Sequence, residues 1–196
     1  MDASVTTALV MCGGAGTRLD IPTEKPLVDV GGTPMIDRVL DALAASGITT
    51  RCAAVSPQTP ATHRHLDRRD DVTVLETPGD GYVADLQTAL SDRTTPVMTL
   101  AADLPLLAGS LLDRIRTAYT GGSMTVVVPA VIKRHLGVSV ASATVVDGQA
   151  PTGVNIVVPG ETDATDRQTY VSYDIRLAVN VNRVRDREIA EAIACE

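Results

Sequence analysis

The sequence predicts an α/β fold: a single domain over residues 1–196, with a mostly parallel, twisted sheet and helices on both faces. Three observations carry that expectation. Short Val-rich apolar runs alternate with amphipathic stretches from end to end, as strands buried on both faces and joined by helical crossovers require. The loops richest in glycine and polar residues follow directly on those runs, where sheets of this kind bind their ligands. A chain of 196 residues, 44% of them hydrophobic, also suits one core at the usual scale of about 100–200 residues per domain.

Taken in order, Val5–Met11 is an apolar run that stops at Cys12-Gly13-Gly14, so it reads as the first strand. Met35–Ala45 places Met35, Ile36, Val39, Leu40 and Leu43 on one helical stripe. Arg51–Ser56 is a second apolar run, closed by Pro57, and Thr62–Arg69 a short amphipathic helix. Val72–Glu76 and Val97–Ala102 read as strands flanking the helix Val83–Leu90. Leu107–Tyr119 is helical by its spacing, and Met124–Pro129 is a Val-rich strand. Ala130–Thr152 is broken by Gly137, Gly148 and Pro151 and reads as short strands or a flap. Val154–Val158 and Leu177–Val181 are expected strands, Pro159–Asp166 a polar exposed loop, and Arg185–Ala194 the closing helix. No internal repeat or linker divides the chain.

Composition narrows the function. The formal net charge is −7 and the pI near 4.9; with no basic block, a nucleic-acid-binding surface is not expected. No segment reads as a signal peptide or a membrane span, so a cytoplasmic protein is expected. Cys12, Cys52 and Cys195 have neither the count nor the spacing of a disulfide framework or a zinc site. Lysine occurs only at Lys25 and Lys133, the acids are mostly Asp, and Trp and Phe are absent. That bias fits a halophilic cytoplasm, where a carboxylate-covered surface stays soluble; an ordinary acidic protein is the other reading.

The chemistry is written first in Met11-Cys12-Gly13-Gly14-Ala15-Gly16-Thr17-Arg18-Leu19, followed by Glu24-Lys25-Pro26-Leu27. Glycines let a backbone approach phosphates and aim several N–H groups at one anion. Arg18 and Lys25 then add positive charge where phosphate charge shifts during reaction. Leu19 stands where the dinucleotide fingerprint needs its third glycine, and no Gly-Lys-Ser/Thr closes a Walker A loop. The segment therefore predicts a nucleotide site of another kind, with Cys12 as a small residue and not a nucleophile.

The glycine loop and Lys-Pro pair resemble the nucleotidyltransferases that share G-G-x-G-x-R…K-P. Three further passages are similar to the archaeal-type GTP:adenosylcobinamide-phosphate guanylyltransferases (the CobY family): Ala54–Pro60, Thr77–Tyr82 with Asp85-Leu86, and Pro151–Ile156 with Ala178–Asn182. The resemblance implies the Rossmann-like fold of nucleotide-diphospho-sugar transferases. It also implies GMP transfer from GTP to a phosphorylated corrinoid in cobalamin biosynthesis, with Mg²⁺ as the cation. One departure stands out: Ala15 occupies a position where relatives carry lysine.

Carried over residue by residue, the resemblance makes Arg18 and Lys25 catalytic. It gives the nucleotide to Cys12, Gly13, Gly14, Ala15, Gly16, Thr17, Ser56, Thr59, Thr77, Gly79, Gly81 and Asp85. Asp103, at the end of a strand, suits Mg²⁺, which takes one or two carboxylates together with phosphate oxygens; capping a turn is its other reading. Gly153, Asn155 and Asn180 are expected on the acceptor side. Asn180 and Asn182, two residues apart, face one side of an extended chain, toward the metal, the acceptor phosphate or the cap of the last helix. Asp80 is a candidate for guanine, and Tyr82, Tyr170 and Tyr173 for a large ring. A phosphate nucleophile is already ionised, so none of His63, His65 and His135 is required as a base. Molybdopterin or phospholactate guanylyltransferase, or a non-catalytic nucleotide sensor, are the competing functions. A sugar-1-phosphate nucleotidyltransferase fits less well, because those chains are usually longer, and the residues leave the oligomeric state open.

Overall fold

The structure is a computed structural model and describes residues 4–14, 19, 21–140, 144–161 and 167–195. Seven strands form one sheet: β1 (Thr7–Met11), β4 (Thr50–Val55), β5 (Thr73–Glu76), β6 (Val97–Ala101), β7 (Met124–Pro129), β8 (Gln149–Val157) and β9 (Gln168–Val171). Their order is β5-β4-β1-β6-β8-β7-β9. Only β8 runs against its neighbours, so the expected mostly parallel sheet is present. A small hairpin, β2 (Asp29–Val30) and β3 (Thr33–Pro34), stands apart from it.

One sheet face is covered by α1 (Met35–Ala44), α2 (Pro60–Leu66), α4 (Gly109–Ala118) and α5 (Ala130–Leu136). Ile36, Val39, Leu66, Leu111, Leu112 and Ile115 pack there on Ala8, Val10, Ala53, Val55, Met98 and Leu100. The other face carries α3 (Tyr82–Leu90), whose Leu86, Ala89 and Leu90 meet Leu9, Cys52, Ala54 and Val97. A separate cluster at the strands' carboxyl edge joins Leu19, Val28, Val30, Met35, Leu106, Val179 and Val181 to Ala190 of α6 (Val184–Ala194).

Three expectations need correction. Leu177–Val181 is not a strand: a 3-10 turn spans Ile175–Leu177, and the chain then runs on without ladder partners. Its alternation is genuine, because Val179 and Val181 are fully buried and Asn180 and Asn182 are not. The edge strand is instead Gln168–Val171, paired in parallel with β7; its polar sequence hides it, since an edge buries little. Ala130–Thr152 holds a helix, α5, ended by Gly137 in the left-handed conformation (φ 75°), and β8 begins at Gln149. Of the expected loop Pro159–Asp166, residues 162–166 lie outside the described residues, and Glu161 is half-buried, accepting the Ser123 amide.

Candidate active site

Parallel order places the informative loops in a row. The loops after β1, β4 and β5 occupy one half of the carboxyl edge, Asp103 follows β6 near the centre, and β8 and β7 make the other half. The β1/β6 boundary, where the strand order reverses, is the position at which open α/β sheets bind ligands.

In the first half, Gly13 packs so tightly that a Cβ on it would lie 3.3 Å from Asp85 Oδ2 and from Ser56 Oγ. Ser56 Oγ donates to the Gly13 carbonyl at 3.2 Å, and Asp85 Oδ1 accepts the Gly79 amide at 2.8 Å. Three loops distant in sequence are thereby tied together. Gly79 and Gly81 have φ of +81° and +108°, open only to glycine at low strain. Thr59 and Thr77 lie in the expected loops, but their hydroxyls turn inward to the carbonyls of Ser56 and Val55. They shape the loops and present no hydroxyl to a ligand. Gly14 is exposed, with nothing among the described residues within 4 Å of where its Cβ would be. Burial pushes the Cys12 thiol up to about 12, which leaves it inert. Ala15, Gly16, Thr17 and Arg18 lie outside the described residues. Asp80 and Tyr82 are exposed beside these loops, and Tyr173 is exposed far along the chain.

Lys25 and Asp103 meet at the centre. Lys25 Nζ lies 2.6 Å from Asp103 Oδ2 and donates to Asn182 Oδ1 at 2.8 Å. Asn180 Nδ2 donates to Asp103 Oδ1 at 3.0 Å and to the Thr152 carbonyl at 2.9 Å, while its Oδ1 accepts from Lys133 Nζ at 2.8 Å. The backbone supports this cluster, with the Val181 amide on the Asp103 carbonyl at 3.0 Å. Glu24 braces Lys25 from the other side by capping α2: its carboxylate accepts the Ala61 and Thr62 amides and the Thr62 hydroxyl, each at 2.7 Å. Partial burial raises the Glu24 carboxyl, but those hydrogen bonds prevail and hold it below the ordinary glutamate range.

The β8 strand is bent to admit Asn180. Thr125 pairs with Asn155 while Val127 pairs with Pro151, so residues 152–154 of β8 face a single residue of β7, a bulge beside the site. Gly153 sits there at φ +87°, and a Cβ on it would lie 3.1 Å from Ala101 Cβ and 3.4 Å from Asn180 Nδ2. The close approach it permits is thus to the protein's own Ala101, with Asn180 in contact beside it. Asn155 is half-buried in mid-sheet, level with Thr99; roughly 13 Å of strand separates that level from Asp103 at ~3.3 Å per residue. Sequence reasoning places Asn155 near the acceptor, but the cluster does not include it.

The last helix is capped by Asp186, not by the asparagines. Its carboxylate accepts the amides of Ser139, Asn182 and Arg183 and the Ser139 hydroxyl at 2.7–2.9 Å. The cap reading of the asparagine side chains therefore falls away. Lys133 was not singled out from the sequence, although the scarcity of lysine was a usable signal: both lysines end at one cluster. Burial lowers the Lys133 pKa, opposed by the nearby Asp103 and Asp186 charges. The histidines stay outside, His63 and His65 beside the acids of Asp67, Glu76 and Asp37 and His135 exposed.

Residues 8–168 match the family described as the MobA-like NTP transferase domain. The chain belongs to that family. Among curated proteins, it is similar to the adenosylcobinamide-phosphate guanylyltransferase of Methanocaldococcus jannaschii, 26% identical over 95% of this chain and 96% of the relative. It is 33% identical to the bifunctional protein GlmU of Heliobacterium modesticaldum over 64% of this chain, but this match takes in only 28% of that longer protein. In architecture it resembles the 4-diphosphocytidyl-2C-methyl-D-erythritol synthase of Anaerococcus prevotii, with a TM-score of 0.68 at 12% identity over 100% of this chain and 98% of the other. A nucleotidyltransferase fold and family are therefore established. Among the described residues, no helix is long and apolar enough to cross a membrane.

Proposed function

We propose that this nucleotidyltransferase transfers GMP from GTP to adenosylcobinamide phosphate, giving adenosylcobinamide-GDP and pyrophosphate in a reducing cytoplasm. The observation that carries the reading is end-to-end similarity to the M. jannaschii guanylyltransferase, over 95% and 96% of the two chains. The same loops hold the Lys25–Asp103 pair at the point where the strand order reverses. An oxygen of the acceptor phosphate forms a bond to the α-phosphorus of GTP. The bond from that phosphorus to the β-bridging oxygen breaks, and pyrophosphate leaves with the electron pair. A phosphate monoester is largely dianionic near neutral pH (second pKa about 6), so the protein need supply only alignment and charge.

In this reading the amides of Gly13 and Gly14 with Gly16, Thr17 and Arg18 hold the triphosphate, and Lys25 follows its shifting charge. The loops at Ser56, Gly79, Gly81 and Asp85 seat the nucleoside. Asp103 fits a Mg²⁺ ion in a limited way. Its oxygens carry lone pairs beyond those facing Lys25 and Asn180, and the described residues contain no cluster of three or more acidic, His or Cys ligands. Such an ion would therefore be held chiefly by the triphosphate, and when bound it supplies charge neutralisation on the phosphate oxygens. Gly153 and Asn180 border the acceptor side.

Pyrophosphate release tests the assignment, with GTP, ATP, CTP and UTP as donors against adenosylcobinamide phosphate, reduced molybdopterin and phospholactate as acceptors. Release with GTP and the corrinoid alone is expected. Preference for another acceptor replaces the proposed substrate, and tight GTP binding without release from any acceptor would make the protein a sensor.

A further inference from the structure

Lys133 stands apart from the other basic side chains of the described chain. It is 4% exposed, yet its ammonium meets only neutral acceptors, the Ala178 carbonyl at 3.0 Å and Asn180 Oδ1 at 2.8 Å. Among the described residues, no carboxylate is ion-paired with it. Asp103 and Asp186 act on it only at longer range. Asp103 faces Lys25 and Asn180, and Asp186 is wrapped by the donors at the start of α6. Burying an ammonium without a counter-charge is costly. One of its three N–H donors has no protein partner among the described residues.

That donor adjoins a cavity of about 130 Å³ lined by Lys133, Ser139, Thr144, Pro151, Asn180 and Asn182. Its size is below the roughly 300–1,000 Å³ of sites that enclose whole ligands, so it suits a headgroup. Two of its walls, Asn180 and Asn182, are hydrogen-bonded to Asp103 and Lys25. It lies on the β8/β7 half of the sheet edge, across Asp103 from the glycine loop on the β1/β4/β5 half. In-line displacement puts the attacking and leaving oxygens on opposite sides of the phosphorus, and this cavity is on the opposite half of the edge from Gly13 and Gly14.

We propose that the Lys133 cavity is the subsite for the phosphate monoester of the acceptor, holding it by the lysine ammonium and the Asn182 side-chain amide while its free oxygen faces the α-phosphorus. The subsite rests on the transfer reaction above but not on the corrinoid, since any phosphomonoester presents the same headgroup.

With two lysines in the chain, selective ¹³C-lysine labelling yields two side-chain signals, and Lys25→Arg identifies which belongs to Lys133. Methyl phosphate is titrated into wild-type protein saturated with a non-hydrolysable GTP analogue. A saturable shift of the Lys133 signal is expected; no shift, or a shift of the Lys25 signal alone, overturns the proposal. In turnover with adenosylcobinamide phosphate, Lys133→Met is expected to raise the acceptor KM at least tenfold, with the GTP KM within twofold of wild type. Equal rises in both KM values, or an unchanged acceptor KM, count against the subsite. If the corrinoid is not turned over at all while methyl phosphate still moves the Lys133 signal, the corrinoid assignment fails and the subsite stands.

Discussion

Replacing Lys25 with methionine separates the contribution of the central ion pair to folding from its contribution to reaction. The Lys25 and Asp103 side chains are 18% and 12% exposed at a separation of 2.6 Å, between a surface pair and a buried one. Exposed pairs contribute about 0–1 kcal/mol, and breaking a buried pair costs ~3–5 kcal/mol because a charge is stranded. An intermediate loss of about 2–3 kcal/mol is therefore expected for Lys25→Met, with Asp103 left facing only the Asn180 amide. Adding Asp103→Asn removes the stranded charge and should restore ~1–2 kcal/mol of that loss. Activity should behave differently. Loss of one oriented electrostatic group costs about 10²–10³ in turnover, and the second substitution returns none of it. Urea denaturation and pyrophosphate release on the two single variants and the double variant give both readings. Near-normal turnover in Lys25→Met, or recovery of turnover along with stability in the double variant, would refute the reasoning: the lysine would then serve the fold alone.

Gly153→Ala introduces a Cβ 3.1 Å from Ala101 Cβ at a φ of +87°; about 1–2 kcal/mol of lost stability is expected together with reduced turnover, because the β8 bulge that seats Asn180 must shift away from Ala101. Urea midpoint and pyrophosphate release both unchanged would show that the bulge yields freely. The Asp174 carboxyl is held down to about 2, chiefly by its hydrogen bond to Arg176. A depressed folded value means that its stabilisation is present above the ordinary carboxylate pKa and is lost as pH falls from about 4 toward 2. Arg114 and Arg176 are solvent-accessible partners, so the loss is ~1 kcal/mol after screening. Asp174→Asn should flatten the denaturation midpoint across that window; an undiminished slope would assign the acid sensitivity elsewhere. A net charge of −7 predicts a higher unfolding temperature in molar KCl than in low salt, and calorimetry showing no rise would remove the halophilic reading.

The sequence made the parallel sheet legible because its Val-rich strands are buried on both faces and interrupted by amphipathic helices. Lys25 and Asp103, which the structure brings within 2.6 Å of each other, stand out in the sequence because phosphate chemistry narrows which residue types can serve at such spacing. What eluded it was what depends on the third dimension. The edge strand Gln168–Val171 alternates half-buried and exposed residues, leaving no hydrophobic period to detect. Residues 179–182 carry the alternation of a strand because the chain is extended there, with its valines held by α6 and the β2–β3 hairpin and not by a ladder. Gly153 reads as room for a ligand, whereas only the bulge reveals that Ala101 and Asn180 fill the space. Glu24 has no role of its own in the sequence reading, yet by capping α2 it braces the residue next to Lys25.

An acidic nucleotidyltransferase that handles a nucleoside triphosphate must gather positive potential against its own net field. Several of its arginines do not help. Arg51, Arg69, Arg114, Arg116, Arg176 and Arg187 are each paired with an Asp or Glu, which cancels their field within a short distance. Lys25 is likewise paired, with Asp103 at 2.6 Å, although that carboxylate is shared with the Asn180 amide. Lys133 is deployed otherwise: it is buried against neutral oxygens alone, and the low dielectric around its ammonium makes it reach further than a solvated arginine would. Both ammonium groups stand at Asp103 or on the β8/β7 half of the sheet edge. Under the proposed reaction that placement favours an acceptor which arrives as an anion over one that arrives as a neutral alcohol, because only the former needs its charge offset before it can approach a triphosphate.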